Sequence, residues 1–151
     1  MNKVLVTTSW DDGHVLDIRL SELLKKYNLK GTFYVSPNNQ EFNKSDLLNK
    51  EALRVLGSGF EIGAHTMTHP HLTKVNIDDA KKEILDSKVY LEKELGKEIK
   101  SFCFPAGYYK PEHKSILKEL GFNFSRTVER FSIKNAFDSY FAPTTVHAYR
   151  H

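Results

Sequence analysis

Short β-rich runs alternate with helical patterns along most of the chain, and this alternation narrows the possible folds more than any other feature. Lys3 to Trp10, Gly31 to Val35, Phe60 to Ala64, Ser101 to Phe104, Phe122 to Val128 and Pro143 to Ala148 read as six strands. Between the first two, Leu16, Leu20, Leu23, Leu24 and Tyr27 recur at helical spacing, ending near Asn28. Asn49 is placed to cap a short helix through Leu56, closed by Gly57-Ser58-Gly59. Asn76 caps a longer helix, with Asp78 and Asp79 at its positive end and Ile77, Ala80, Ile84, Leu91 and Leu95 as a core stripe; Gly96 closes it. Pro111 opens a further helix ending at Gly121. Strands separated by helices imply parallel pairing through right-handed crossovers, hence an α/β fold. Residues 129–142 read as a long loop.

At 151 residues the chain fits a single domain, 1–151, large enough to form a core without disulfides or a structural metal. Its one cysteine, Cys103, allows no intramolecular disulfide. Lys and Arg number 22 against 19 Asp and Glu, a formal charge of +3 with no basic run. That distribution argues against nucleic acid as a partner. No stretch has transmembrane length, so membrane insertion is not expected. The N-terminal run lacks the long apolar region of a signal peptide, which points to the cytoplasm, or to secretion if a leader has been removed.

Polar residues gather where strands end: Asp11 and Asp12 after the first, His65 and His69 after the third, Pro105-Ala106-Gly107 after the fourth, and His147 in the sixth. Parallel strands share one carboxyl edge, where sites are built. Adjacent carboxylates repel each other, and a cation relieves that repulsion. The competing explanation is that Asp12 caps the following helix. His65 and His69 could share a helical face, but Pro70 disfavours helix at His69, so a strand end with one tight turn fits better. One carboxylate and two imidazoles leave coordination positions open, a catalytic rather than a structural zinc arrangement.

The residues Ser9-Trp10-Asp11-Asp12-Gly13 resemble the first motif of the polysaccharide deacetylases (carbohydrate esterase family 4, the NodB-type homology domain), usually Thr-Phe-Asp-Asp-Gly. His65-Thr66-Met67-Thr68-His69 matches their second motif, His-Ser/Thr-x-x-His, and Phe102-Cys103-Phe104-Pro105-Ala106-Gly107 looks like a degenerate third, Phe-Arg-Pro-Pro-Tyr-Gly. The resemblance spans residues 3 to about 148. It implies metal-dependent hydrolysis of an N-acetyl group on an amino sugar or polysaccharide, with Asp12, His65 and His69 holding a divalent ion, commonly zinc. Asp11 would be the general base and His147 the general acid, and the backbone N–H of Ala106 would stabilise the oxyanion. Tyr108, after the same turn, could stack on a sugar ring or simply anchor the loop. The family forms an irregular barrel of seven or eight strands, so six imply an incomplete (β/α) barrel, truncated at its C-terminal end or completed by another subunit in an oligomer.

Two departures stand out. Cys103 replaces the third-motif arginine that in relatives bonds the catalytic aspartate; Arg126, on the next strand, is a candidate substitute, weighed against a loop-packing role. The family's Asp-rich fourth motif is not visible. Cys103 itself, between two phenylalanines, reads as a buried small hydrophobe rather than a nucleophile. His14, His71 and His151 are expected near the site without a direct role, and His113 within the last helix as structural. Three alternatives remain at this stage: hydrolysis of another C–N bond such as a cyclic amide or imide, a non-haem iron oxygenase, and a carbohydrate-binding relative without turnover.

Overall fold

The computed structural model of the protein describes residues 6–132 and 137–147. Five short strands, Ser9–Trp10 (β1), Thr32–Val35 (β2), Glu61–Ala64 (β3), Ser101–Cys103 (β4) and Phe124–Arg126 (β5), form one sheet in chain order. Every pairing is parallel. Helices Asp17–Lys26 (α1), Lys50–Gly59 (α2), Ile77–Leu95 (α3) and His113–Glu119 (α4) make the crossovers. The expected α/β class and parallel barrel-like sheet are therefore present.

Local chemistry explains most of the helix boundaries. Asn49 Oδ1 accepts the Ala52 N–H and Asn76 Oδ1 the Asp79 N–H, each satisfying an otherwise orphaned donor of the first turn. Gly96 ends α3 in the left-handed region at φ 64°, with its N–H bonded to the Glu92 carbonyl. Helix α2 continues through Gly57 to Gly59, beyond the expected end at Leu56; Gly57 is buried there, where a Cβ would meet Leu95 Cδ2 at 2.6 Å. Helix α4 starts at His113, after a turn at Pro111.

The core lies between the sheet and its helices. Phe33, Val35, Ile62, Ala64, Phe102 and Phe104 come from or beside the strands, and Leu24, Leu53, Leu56, Ile84, Leu91 and Leu117 from the helices. All of these are buried, and burial of this kind stabilises by roughly 1.5–3 kcal/mol per large side chain. Among the described residues no helix is long and apolar enough to cross a membrane.

Two strand expectations need correction. The first strand is expected over Lys3 to Trp10, of which residues 3–5 lie outside the described residues; the described strand is Ser9–Trp10. The sixth, expected over Pro143 to Ala148, is not a strand in its described part, 143–147. Instead Ala142 makes a single parallel bridge to Arg126. Pro143 has no N–H to extend that ladder. The chain then folds back on 129–132: Thr144 N–H bonds Glu129 O, and Phe131 and Ser132 donate to Thr145 and Thr144 carbonyls.

Candidate active site

The carboxyl ends of β1, β3, β4 and β5 bring the chemistry together. After β1 the backbone turns sharply through two left-handed residues, Asp12 at φ 81° and Gly13 at φ 78°. Gly13 is required there twice over, since a Cβ would also meet Val35 Cγ1 at 2.8 Å. The turn points the Asp12 carboxylate at two histidines rather than at α1. Its Oδ1 lies 3.5 Å from His65 Nε2 and 3.2 Å from His69 Nε2. Helix α1 begins at its Leu16 cap with no side-chain hydrogen bond, so Asp12 is not a helix cap.

Both histidines are buried and tilted against each other with ring centroids 4.8 Å apart. His65 Nδ1 donates to the Cys103 carbonyl at 2.8 Å, which fixes the tautomer and leaves the Nε2 lone pair facing Asp12. His69 is at φ 65° and Thr66 at φ 64°, so the connecting segment is a tight turn, not a helix. Among the described residues, four of the six non-glycine residues with positive φ, Asp12, Thr66, His69 and Ala106, lie in the segments expected to form the site. Strain of this kind persists where surrounding structure enforces it, and it clusters at functional sites.

The donor atoms of Asp12, His65 and His69 all lie within 4.8 Å of one another. Their separations fit an ion: two ligand atoms about 2.1 Å from a tetrahedral zinc stand roughly 3.4 Å apart. The observed 3.2 and 3.5 Å match that spacing, whereas a direct charge-assisted hydrogen bond would be shorter, about 2.7–2.9 Å. Asp11, His65 and Cys103 form a second such cluster, but it fits an ion poorly. There Asp11 is already ion-paired, and burial, followed by the Asp11 charge, pushes the Cys103 thiol well up, so it keeps its proton.

Asp11 is held from both sides. Arg126 Nη2 donates to Oδ1, and the Cys103 thiol approaches Oδ2 at 3.8 Å. Arg126 is itself mostly buried, lies over the Tyr34 ring with its guanidinium 5.3 Å from the centroid, and donates through Nη1 to the Thr127 carbonyl. The guanidinium absent from the third motif thus arrives from β5, the next strand.

His147 lies 3.0 Å from Thr144 Oγ1 through Nε2. Burial and then the charges of Arg130 and Arg126 lower its pKa, opposed by Asp11. Ala106, exposed at φ 51°, lies on the turn Pro105–Gly107 that follows β4. Gly107 lets that turn pack on Val128, whose Cγ2 would be 2.0 Å from an added Cβ. Tyr108 is 52% exposed, and its ring tilts against His71 with centroids 4.8 Å apart.

Among the described residues, His14, His71 and His113 are not members of the ion cluster. His14 bridges to Leu47 and packs edge-on to Phe42, and His151 is outside the described residues. His113 is buried, stacked on Phe104, with Nδ1 accepting the Lys110 N–H.

Three acidic residues were not foreseen. Glu41 Oε1 lies 3.2 Å from His69 Nδ1, outside hydrogen-bond geometry. The charges of Asp12 and Glu41 outweigh the burial that disfavours a charged ring, and raise the His69 pKa. Burial acts against the Asp12 carboxylate too, yet the two histidines hold it well below the usual carboxylate range. Behind them Asp17 is buried with Oδ2 unpartnered; burial first, then the Asp12 and Asp11 charges, push its pKa up to about 7. The third residue, Glu83, grips the His65–His69 turn. No local pattern marks any of them, because their partners lie on other elements.

Comparison with known proteins agrees with this geometry. The sequence profile described as polysaccharide deacetylase matches residues 1–125. A peptidoglycan-N-acetylglucosamine deacetylase of Bacillus cereus is 33% identical over 119 residues, 78% of this chain and 39% of that protein. Peptidoglycan-N-acetylmuramic acid deacetylase PdaC of Bacillus subtilis is 29% identical over 119 residues, 78% of this chain and 24% of that protein. The chain thus spans well under half the length of these two relatives. Among solved structures, the Streptococcus pyogenes deacetylase PplD in complex with acetate superposes with a TM-score of 0.87 at 24% identity, covering 95% of this chain and 65% of that one. The five parallel strands form a half-barrel that matches this deacetylase barrel. A profile match over most of its length, on a sheet of the same design, makes the chain a member of the polysaccharide deacetylase family.

Proposed function

We propose that the chain hydrolyses an N-acetyl group on an amino sugar or polysaccharide, using a divalent ion, most simply zinc. The observation that carries this reading is the convergence of Asp12, His65 and His69, with donor atoms at ion-compatible spacing, beside an arginine-paired Asp11. The two Bacillus relatives, named for removing acetyl groups from the amino sugars of peptidoglycan, support the substrate class.

When bound, the ion supplies a Lewis acid that polarises the acyl oxygen and makes a water more acidic. Asp12 offers the single negative charge of the ligand set, and His65 and His69 are buried so that their rings lose little freedom on binding. Asp11, beside Asp12 but not among the ligands, takes the proton of the attacking water. Arg126 and the Cys103 thiol hold its two oxygens in direction, so little reorganisation is needed. The Ala106 N–H stabilises negative charge as the acyl carbon becomes tetrahedral. His147, whose lowered pKa makes it a ready donor once protonated, returns a proton to the departing amine, which leaves poorly otherwise. Tyr108 offers an exposed ring face to the sugar.

The test is acetate release from N-acetylglucosamine oligomers. Release should stop with a chelator, return with zinc, and vanish in Asp11→Asn while that variant still binds the ion. Release that persists in chelator contradicts the metal dependence, and release that persists in Asp11→Asn contradicts its role as base.

A further inference from the structure

Within the turn between His65 and His69 the Thr66 hydroxyl donates to the His65 carbonyl and accepts the His69 N–H at 3.1 Å, and Thr66 and His69 are both held in the left-handed region. The backbone of the turn is gripped from two sides. On one side the carbonyls are taken by the segment after β2: Asn38 N–H donates to Met67 O at 2.9 Å, Gln40 N–H to Thr68 O at 3.2 Å, and Ser36 Oγ to Met67 O at 3.3 Å. On the other side the donors converge on one carboxylate in the second turn of α3. Glu83 Oε2 accepts Met67 N–H at 2.9 Å and Thr68 N–H at 2.8 Å, and Oε1 accepts the Thr68 hydroxyl at 2.8 Å.

We infer that Glu83 is a positioning residue of the metal centre: its carboxylate clamps the turn so that both imidazoles face one point. The inference rests on the metal reading above and extends it to a residue that touches neither ion nor substrate. Charge-assisted bonds from two successive amides and a hydroxyl leave the carboxylate one geometry and the turn one register. Helix α3 is anchored by Ala80, Ile84 and Leu91 in the core, so the carboxylate is delivered from a rigid element. Without it the turn keeps its carbonyl bonds but loses the acceptor that opposes relaxation of Thr66 and His69. Met67 N–H also lies 3.1 Å from the Glu83 carbonyl and keeps a partner; Thr68 N–H loses the acceptor at 2.8 Å and is the sensitive reporter.

The experiment uses metal-free protein and its Glu83→Ala, Glu83→Gln and Thr68→Val variants. Amide hydrogen exchange reads the clamp, zinc titration calorimetry reads its consequence, and thermal melts read global folding. In Glu83→Ala the Thr68 amide should exchange at least about tenfold faster, with Ile62 in β3 unchanged, and zinc should bind about 10–100-fold more weakly. Glu83→Gln, which keeps one oxygen for the two amides while the Thr68 hydroxyl turns to accept, should recover most of both. Thr68→Val, which removes one donor, should weaken zinc binding less than Glu83→Ala and leave folding intact; it decides the matter with Glu83→Gln if the alanine variant does not fold. Unchanged Thr68 exchange and unchanged zinc affinity in Glu83→Ala overturn the inference, as does a weakening by Glu83→Gln equal to that of Glu83→Ala. A wild-type chain that takes up no zinc overturns the metal reading instead, while the exchange measurement still decides whether the clamp exists.

Discussion

Arg126→Ala removes the cation paired with Asp11 and leaves that carboxylate beside a neutral thiol. Removing one partner of a fully buried ion pair costs about 3–5 kcal/mol. Here the Arg126 side chain is 10% exposed and Asp11 29%, so water partly compensates the stranded charge, and about 1–3 kcal/mol is the expected loss. For a domain of this size each kcal/mol lowers Tm by roughly 2–4 °C, which predicts a fall of about 4–8 °C for the middle of that range. Turnover should suffer as well, since about 2 kcal/mol of lost positioning corresponds to roughly 30-fold in rate. The fall should appear in kcat, with KM little changed, because Arg126 is assigned to the base and not to the sugar. Acetate release and a thermal melt read both quantities. In an Asp11→Asn background the pair is already neutralised on one side, so the same arginine substitution should cost less stability. Turnover in Arg126→Ala within about twofold of wild type would refute the reasoning, as would an undiminished stability loss in the Asp11→Asn background.

Asp17 has a folded pKa raised to about 7 against an ordinary value of 3.8, so the folded chain holds a proton that the unfolded chain releases. Stability of the metal-free protein therefore falls as pH rises from about 4 towards 7 and stays lowered above it. Asp17→Asn should raise Tm at pH 8 but hardly at pH 3.5, and an equal effect at both would contradict this. Gly107→Ala should destabilise by about 2–4 kcal/mol, combining a strained φ of 73° with the Val128 clash; a Tm within about 2 °C of wild type would show that the loop yields freely. His69, whose pKa is raised, must lose its proton to bind an ion, so zinc affinity in calorimetry should be weaker at pH 6 than at pH 8.

Much of the design was legible in the sequence because it is local. The caps at Asn49 and Asn76, the glycine stop at Gly96 and the strand-end placement of Asp12, His65 and His69 each follow from neighbours within a few residues. The unread parts depend on distant contacts. The expected strand at Pro143 to Ala148 overlooked a proline that breaks the ladder just after its bridge to β5. Glu83 looks like any polar helix residue until the turn 15 residues before it is folded alongside. Arg126 could be suspected only because Cys103 stands where an arginine was wanted; its contact with Asp11 depends on β5 lying next to β4.

The most direct measurement is anomalous diffraction at the zinc edge from crystals of the chain grown with zinc. A single strong peak is predicted about 2.0–2.2 Å from Asp12 Oδ1, His65 Nε2 and His69 Nε2, with Asp11 outside bonding distance. A peak among Asp11, His65 and Cys103, or none at this end of the sheet, would contradict the account.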